Sequence, residues 1–279
     1  MMSGEMLTTR GGDAAQEAAT ADASLARRFG GLERLYGVKG AASIRRAHVA
    51  VVGIGGVGSW AAEALARSGV AQITLIDLDH VAESNINRQI HAVEDTIGQA
   101  KVVAMRNRIA EINPMCVVHC VEEFVNADNW PALLATPVDA VIDACDQIKA
   151  KLAIAVWAKN ANVIHLAVGA AGGKRHAHKV DIDDLAHTTH DPLLAQLRYR
   201  MRKHHHAPRE GKKIGVACVF SREAVAPPDS SCDLAGDGSL NCHGYGSVVA
   251  VTATFGQCAA GWVIDKLTEN SERAEKSTL

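Results

Sequence analysis

Apolar residues in this chain follow two rhythms. Short runs rich in Val, Ile and Ala fall at 48–52, 72–76, 116–121, 138–143 and 163–168. Between them, alanine, leucine and isoleucine recur at three- and four-residue spacing over 58–69, 98–112 and 148–160. The first rhythm predicts buried strands and the second predicts amphipathic helices. Strands alternating with helices predict an α/β fold built on a doubly wound, mostly parallel sheet. Beyond Val168 the pattern loosens. A strand is expected over His178–Ile182, a helix over Pro192–Lys203, a strand over Ile214–Phe220 and a final helix over Ser247–Leu267. Pro131–Ala135 reads as part of a short helix, and Pro227–Leu240 as a turn-rich loop. The expected organisation is a disordered leader over 1–24, one domain over 25–268 and a flexible tail over 269–279.

Composition narrows the class. With 279 residues, 48% hydrophobic and 22% charged, the chain has enough apolar material for one sizeable core. A net charge of −2 means that any affinity for nucleic acid must come from a local patch. Seven cysteines without a C-x-x-C argue for reduced thiols in a cytoplasmic setting and against a structural zinc knot. The leader has no apolar segment behind a basic start, so it is not a signal peptide. Tyr245–Ile264 is long enough to span a bilayer, but it carries Gly246, Ser247, Thr252, Thr254, Gly256, Gln257 and Gly261. Burial against the sheet or against a second copy in a homodimer explains it better, with peripheral membrane association left open.

The chemistry concentrates after the first strand. Gly53, Gly55 and Gly58 form G-x-G-x-x-G between a strand and a helix, with Gly56 an extra glycine. The first glycine permits a tight turn, the second lets the backbone approach a phosphate, and the third lets helix pack on strand. The free N–H groups of the following helix then face the phosphate charge. Asp77 ends the second strand roughly twenty residues on, where a carboxylate can hydrogen-bond ribose hydroxyls. Together these predict a Rossmann-like nucleotide site.

The next loop tells a triphosphate from a dinucleotide. It supplies Asp79, Asn85, Asn87, Arg88 and Gln89, and the following helix opens on Lys101. Two cations and several amides beside a phosphate-binding turn suit a triphosphate. Asp146, after the strand over 138–143, is placed to hold Mg²⁺ against those phosphates. Gly169-Ala-Ala-Gly-Gly-Lys-Arg175 imitates a P-loop without its spacing or its final hydroxyl, and is rejected as one.

These residues also carry a resemblance. Gly53-x-Gly-Gly-x-Gly58, Asp77-Leu-Asp79, Asn85-x-Asn-Arg-Gln89, Gly98-Gln-Ala-Lys101 and Asp143-Ala-Cys-Asp146 resemble the ATP site of the ubiquitin-activating-enzyme (ThiF/MoeB/HesA) superfamily. Arg28-Phe-Gly-Gly31 with Arg34-Leu-Tyr-Gly37, Asn87 to Ala92, Asp191-Pro-Leu193, Gly215 to Ser221 with Glu223, and Val251 to Gly256 resemble its tRNA threonylcarbamoyladenosine dehydratase branch. The similarity covers about Leu25 to Lys266. It implies ATP- and Mg²⁺-dependent cyclisation of threonylcarbamoyladenosine in tRNA through an adenylated carboxylate. It also implies that Asp77 holds ribose, that Arg88 and Lys101 neutralise phosphate charge, and that Asp146 holds Mg²⁺. Arg34 is then expected at the γ-phosphate, reached across a homodimer.

Two alternatives stay open. Superfamily members that activate a ubiquitin-like or sulfur-carrier protein use a thiol, for which Cys242 is the best-placed candidate, with Cys232 in the same loop. Intramolecular cyclisation needs no such thiol. The other alternative is a non-catalytic nucleotide-binding partner of a sulfur-transfer system such as a cysteine desulfurase. Cys116, Cys120, Cys145, Cys218 and Cys258 read as packing residues, and His204 to His206 as solvated. One dense basic stretch, Arg198 to Lys213, carries seven cations against one Glu and is expected to contact an RNA backbone.

Overall fold

The computed structural model describes residues 10–209, 211–229 and 245–276, with side chains from residue 24 to residue 270 of these. Seven strands form one sheet: β1 (His48–Val52), β2 (Gln72–Ile76), β3 (Val117–Val121), β4 (Ala140–Asp143), β5 (Ile164–Val168), β6 (Val180–Asp184) and β7 (Ala217–Ser221). Their order is β3-β2-β1-β4-β5-β7-β6. Every pairing is parallel except β6 with β7, which closes the far edge as an antiparallel pair. The chain runs outward from β1 to β3, then returns to β4 on the other side of β1. Strand order therefore reverses between β1 and β4, and a crevice opens beyond their carboxyl ends.

The helices cover both faces. On one side lie α2 (Gly58–Arg67), α3 (Lys101–Ile112) and the last helix, α6 (Val249–Lys276). Leu65, Met105, Phe255 and Val263 pack there on Val49, Val51, Leu75 and Ile142. On the other side lie α4 (Ile148–Ala161) and α5 (Pro192–His204). Ile154 meets Val52 and Val141, while Leu194 and Leu197 meet Ala167 and Phe220. Alternate residues of one strand thus serve opposite cores, which is why β1 reads as an unbroken apolar run.

Most expected elements appear with shifted ends, and three differ. The opening helix α1 runs Arg10–Ile44, with Gly37 non-helical at φ 72° inside it. Residues 10–24 of the expected leader therefore lie in helix, while 1–9 are outside the described residues. Alanine dominates that stretch, and alanine has the highest intrinsic helix propensity. At the other end, α6 continues through residues 269–276 of the expected tail. The short helix expected at Pro131–Ala135 is a pair of turns instead.

Burial settles the apolar C-terminal stretch. Val251, Phe255, Ala259, Ala260, Val263 and Ile264 are buried in the main core. Gly256 lies so close to α2 that a Cβ there would sit 2.6 Å from the Val57 carbonyl oxygen and 2.7 Å from Trp60 Cβ. Among the described residues no helix is long and apolar enough to cross a membrane.

Candidate functional site

A cavity of about 660 Å³ occupies the crevice at the strand-order reversal. Gly53, Gly55, Gly56, Asp77, Asp79, Arg88, Gln89, Lys101 and Asp146 all line it, as the pattern of loops at strand ends requires. The glycine turn has the expected division of labour. Gly53 sits at φ +85°, and a Cβ there would come within 2.9 Å of the Ala144 carbonyl and the Cys145 amide. A Cβ at Gly58 would collide with the Gly53 carbonyl. Gly55 is different: a Cβ there would meet no protein atom within 4 Å, so its hydrogen keeps cavity space clear.

Asp77 is fastened by both oxygens. Its Oδ2 accepts from Ile54 N at 2.6 Å and its Oδ1 from Asp79 N at 2.9 Å. Each oxygen keeps a second lone pair for a ligand hydroxyl. Burial raises its pKa, and the Lys101 ammonium works against that rise. Lys101 is buried and donates to Asp79 Oδ2 at 2.8 Å, while its own amide donates to the Asp79 carbonyl. The sequence suggested a free ammonium; the structure gives one already half neutralised. Arg88 is freer. Its Nη1 donates to the Ser84 carbonyl at 2.7 Å and to Asn87 Oδ1 at 2.9 Å. Nε and Nη2 have no acceptor among the described residues, and its stem lies over Gly56. Trp60 holds the loop by donating Nε1–H to the Arg88 carbonyl at 2.9 Å. Gln89 is buried, and its Oε1 has no partner among the described residues.

Three expected ligand residues do not reach this cavity. Asn85 is buried, and its Oδ1 accepts from Ala82 N at 3.1 Å, closing a tight turn. Asn87 donates to the Ser247 carbonyl at 3.1 Å, tying the loop to the start of α6. Both amides are used by backbone, as loop asparagines commonly are. Arg34 is exposed on α1 and is not among the residues lining the cavity of its own chain. Cys242 and Cys232 lie outside the described residues.

Asp146 is exposed at the cavity edge and makes no hydrogen bond or ion pair among the described residues. The described residues include no group of three His, Cys, Asp or Glu able to hold a metal. A single uncommitted carboxylate is nevertheless what magnesium takes from a protein when phosphates and waters supply its other oxygens. The turn carrying Asp146 is braced from beneath. Lys151 and Asp143 are both fully buried, with Nζ 3.0 Å from Oδ1 and a further Nζ bond to the Asp143 carbonyl at 3.0 Å. Asp143 Oδ1 also accepts from Cys145 Sγ at 2.9 Å. Burial and the neighbouring Asp143 carboxylate push the Cys145 thiol well up, so it stays protonated and is no nucleophile.

Several lining residues had no sequence signal of their own. Phe124 and Val125 follow β3, and Gly169 to Gly172 follow β5. The latter belong to the glycine-rich run without P-loop spacing, and they form part of the cavity rim. Asp191 caps α5 by accepting from Leu194 N at 3.0 Å and holds that rim by accepting from Ala170 N at 2.9 Å.

The whole region from β1 to α6 matches a single family model, that of the ThiF family, over residues 27–279. The chain belongs to the ThiF family. Within this family, tRNA threonylcarbamoyladenosine dehydratase of Escherichia coli (strain K12) is 42% identical over 255 residues, covering 88% of this chain and 95% of the relative. The enzyme of the same name from Bacillus subtilis (strain 168) is 38% identical over 192 residues, covering 69% of this chain and 73% of the relative. A crystal structure of the E. coli dehydratase in complex with ATP has a TM-score of 0.81 at 41% identity, covering 90% of this chain and 97% of that one. Another holds AMP, with a TM-score of 0.81 at 42% identity. These bear out the resemblance carried by the motifs and the doubly wound fold. The similarity runs nearly the full length of the E. coli protein, so it extends well beyond a shared nucleotide module.

Proposed function

We propose that this chain is an enzyme that dehydrates threonylcarbamoyladenosine in tRNA at the expense of ATP, by adenylating the threonyl carboxylate. The observation that carries this reading is the near full-length similarity to E. coli tRNA threonylcarbamoyladenosine dehydratase, joined to the cavity residues described above. A carboxylate is a poor electrophile because its leaving group would be oxide. Its oxygen attacks the α-phosphorus of ATP, pyrophosphate leaves, and the acyl carbon now bears AMP. The carbamoyl group of the same side chain then attacks that carbon, its proton passes to solvent, and AMP departs with the carboxylate oxygen. The nucleophile is already tethered, so the effective concentration is high and no protein thioester is required.

In this reading the glycine turn presents backbone N–H groups to the phosphates, with Gly55 leaving room for them. Arg88 uses its uncommitted Nε and Nη2 on the departing pyrophosphate. Lys101 adds charge that Asp79 partly offsets, which puts more of the neutralisation on Arg88. Asp77 receives the ribose hydroxyls, and Phe124 and Val125 offer an apolar wall beside it. Asp146 would hold Mg²⁺, which when bound screens the triphosphate and draws charge off the leaving group. Arg34 can act at the triphosphate only across a homodimer, from the partner's α1. The test is direct. Protein, ATP and Mg²⁺ incubated with tRNA bearing threonylcarbamoyladenosine should yield a nucleoside lighter by one water, with one AMP per nucleoside converted. ATP binding without AMP formation would point instead to a nucleotide-binding partner protein.

A further inference from the structure

Helix α5 joins the cavity to a second concave surface. Its first turns, at Pro192 and Gln196, line the main cavity. Its later turns, at Tyr199, Arg202 and Lys203, join Arg209 in lining a groove of about 580 Å³. A smaller depression lies between the two, sharing Pro192 and Val225 with the cavity and Ala195 and Arg198 with the groove. The three run end to end along one helix.

The groove is cationic and aromatic at once. Tyr199 is 60% exposed, and Lys203 Nζ stands 5.5 Å from the centre of its ring. Arg209, Lys212 and Lys213 follow in exposed positions. Arg198 is committed elsewhere: its Nη1 donates to the Leu185 and Thr188 carbonyls and to Thr188 Oγ1, so it shapes the wall and is not a free ligand. Arg202 Nε donates to the Pro208 carbonyl at 3.2 Å, which fixes the loop carrying Arg209 against the helix. Lys203, Arg209, Lys212 and Lys213 attract a polyanion that leaves the cavity along α5.

We propose that the surface formed by Tyr199 and Lys203 of α5 and Arg209 of the loop after it is the docking surface for the RNA strand flanking the target nucleoside. The inference rests on the reading of the cavity given above and specifies where the rest of the substrate lies. Exposed aromatic rings interleaved with cations suit unpaired nucleotides, whose bases stack while their phosphates meet the charges. Gln196 to Lys203 rises about 10 Å along the helix, the length of about three stacked nucleotides at about 3.4 Å each. An adenosine held in the cavity therefore places its neighbours over Tyr199.

The experiment uses the full chain with tRNA bearing threonylcarbamoyladenosine, comparing wild type with Tyr199→Ala, Lys203→Glu, Arg209→Glu and the triple variant. Michaelis parameters, tRNA affinity against salt concentration, and ATP affinity are measured for each. The triple variant should raise KM for tRNA at least thirty-fold while kcat stays within about two-fold. The slope of log affinity against log salt should become shallower by roughly one to two for the two charges reversed. Unchanged ATP affinity confirms that the variants are folded, and Tyr199→Phe should retain wild-type KM. Unchanged KM and salt slope in the triple variant overturn the surface. Failure of wild type to dehydrate the tRNA overturns the reading of the cavity instead, and the binding slope still decides the surface.

Discussion

Replacing Asp146 with alanine should stop turnover and leave the fold untouched. Its side chain is exposed at the cavity edge with no partner among the described residues, so its loss removes no protein contact. Exposed positions of this kind change stability by about 0.5 kcal/mol or less. What is lost is the carboxylate that would hold the metal against the triphosphate. Removing one such charge-stabilising group typically costs on the order of 10³-fold in rate. Arg88→Ala should be about as severe, with a small structural cost from the Ser84 and Asn87 bonds. Each of those bonds contributes about 1 kcal/mol. The Arg88 carbonyl that receives Trp60 survives the substitution. AMP release measured beside a melting curve separates the two effects. Normal AMP release in either variant would remove the residue from the mechanism.

Lys151→Ala should be damaging for the opposite reason. Lys151 does not line the cavity, but its loss leaves the fully buried Asp143 carboxyl without a counter-charge. Breaking a buried pair from one side costs about 3–5 kcal/mol. For a domain of this size that lowers Tm by roughly 6–20 °C. Burial works against the Lys151 charge, but the adjacent Asp143 carboxylate holds its pKa above the ordinary 10.5. The stability contributed by the Lys151 charge is therefore fully present below that ordinary value and is lost as pH rises through the raised folded one. It does not vary across neutral pH. Lys151→Met with Asp143→Leu should recover much of the lost Tm, since apolar residues often replace a buried pair at little cost. Turnover should not recover, because Asp143 Oδ1 also fixes the Cys145 side chain in the turn that carries Asp146. A double variant that regained activity along with stability would reduce the pair to a packing element.

These two cases mark what the sequence can and cannot reveal. The strand, glycine turn, helix and second strand over 48–77 are legible because periodicity and glycine spacing are local properties. The clustering of Gly55, Asp77, Arg88, Lys101 and Asp146 follows from one topological rule about strand ends. Side-chain partners do not follow from any local rule. Lys101 reads as a free cation until Asp79 is found 2.8 Å away. Lys151 carries no signal of its own in the sequence, and only the structure seats it against the fully buried Asp143. Asn85 and Asn87 look like ligand amides because the sequence does not say which backbone groups their turn leaves unpaired. The antiparallel β6–β7 edge was hidden for a similar reason, since strand order depends on long-range pairing that periodicity does not encode.

The central claim is that the substrate's own carboxylate is activated as an adenylate, and the fate of one oxygen atom tests it. The tRNA is prepared with ¹⁸O in both oxygens of the threonyl carboxylate and allowed to react in unlabelled water with ATP and Mg²⁺. The account predicts one ¹⁸O atom in every AMP released and none in pyrophosphate. AMP free of label, with the heavy oxygen appearing in water or phosphate, would contradict it.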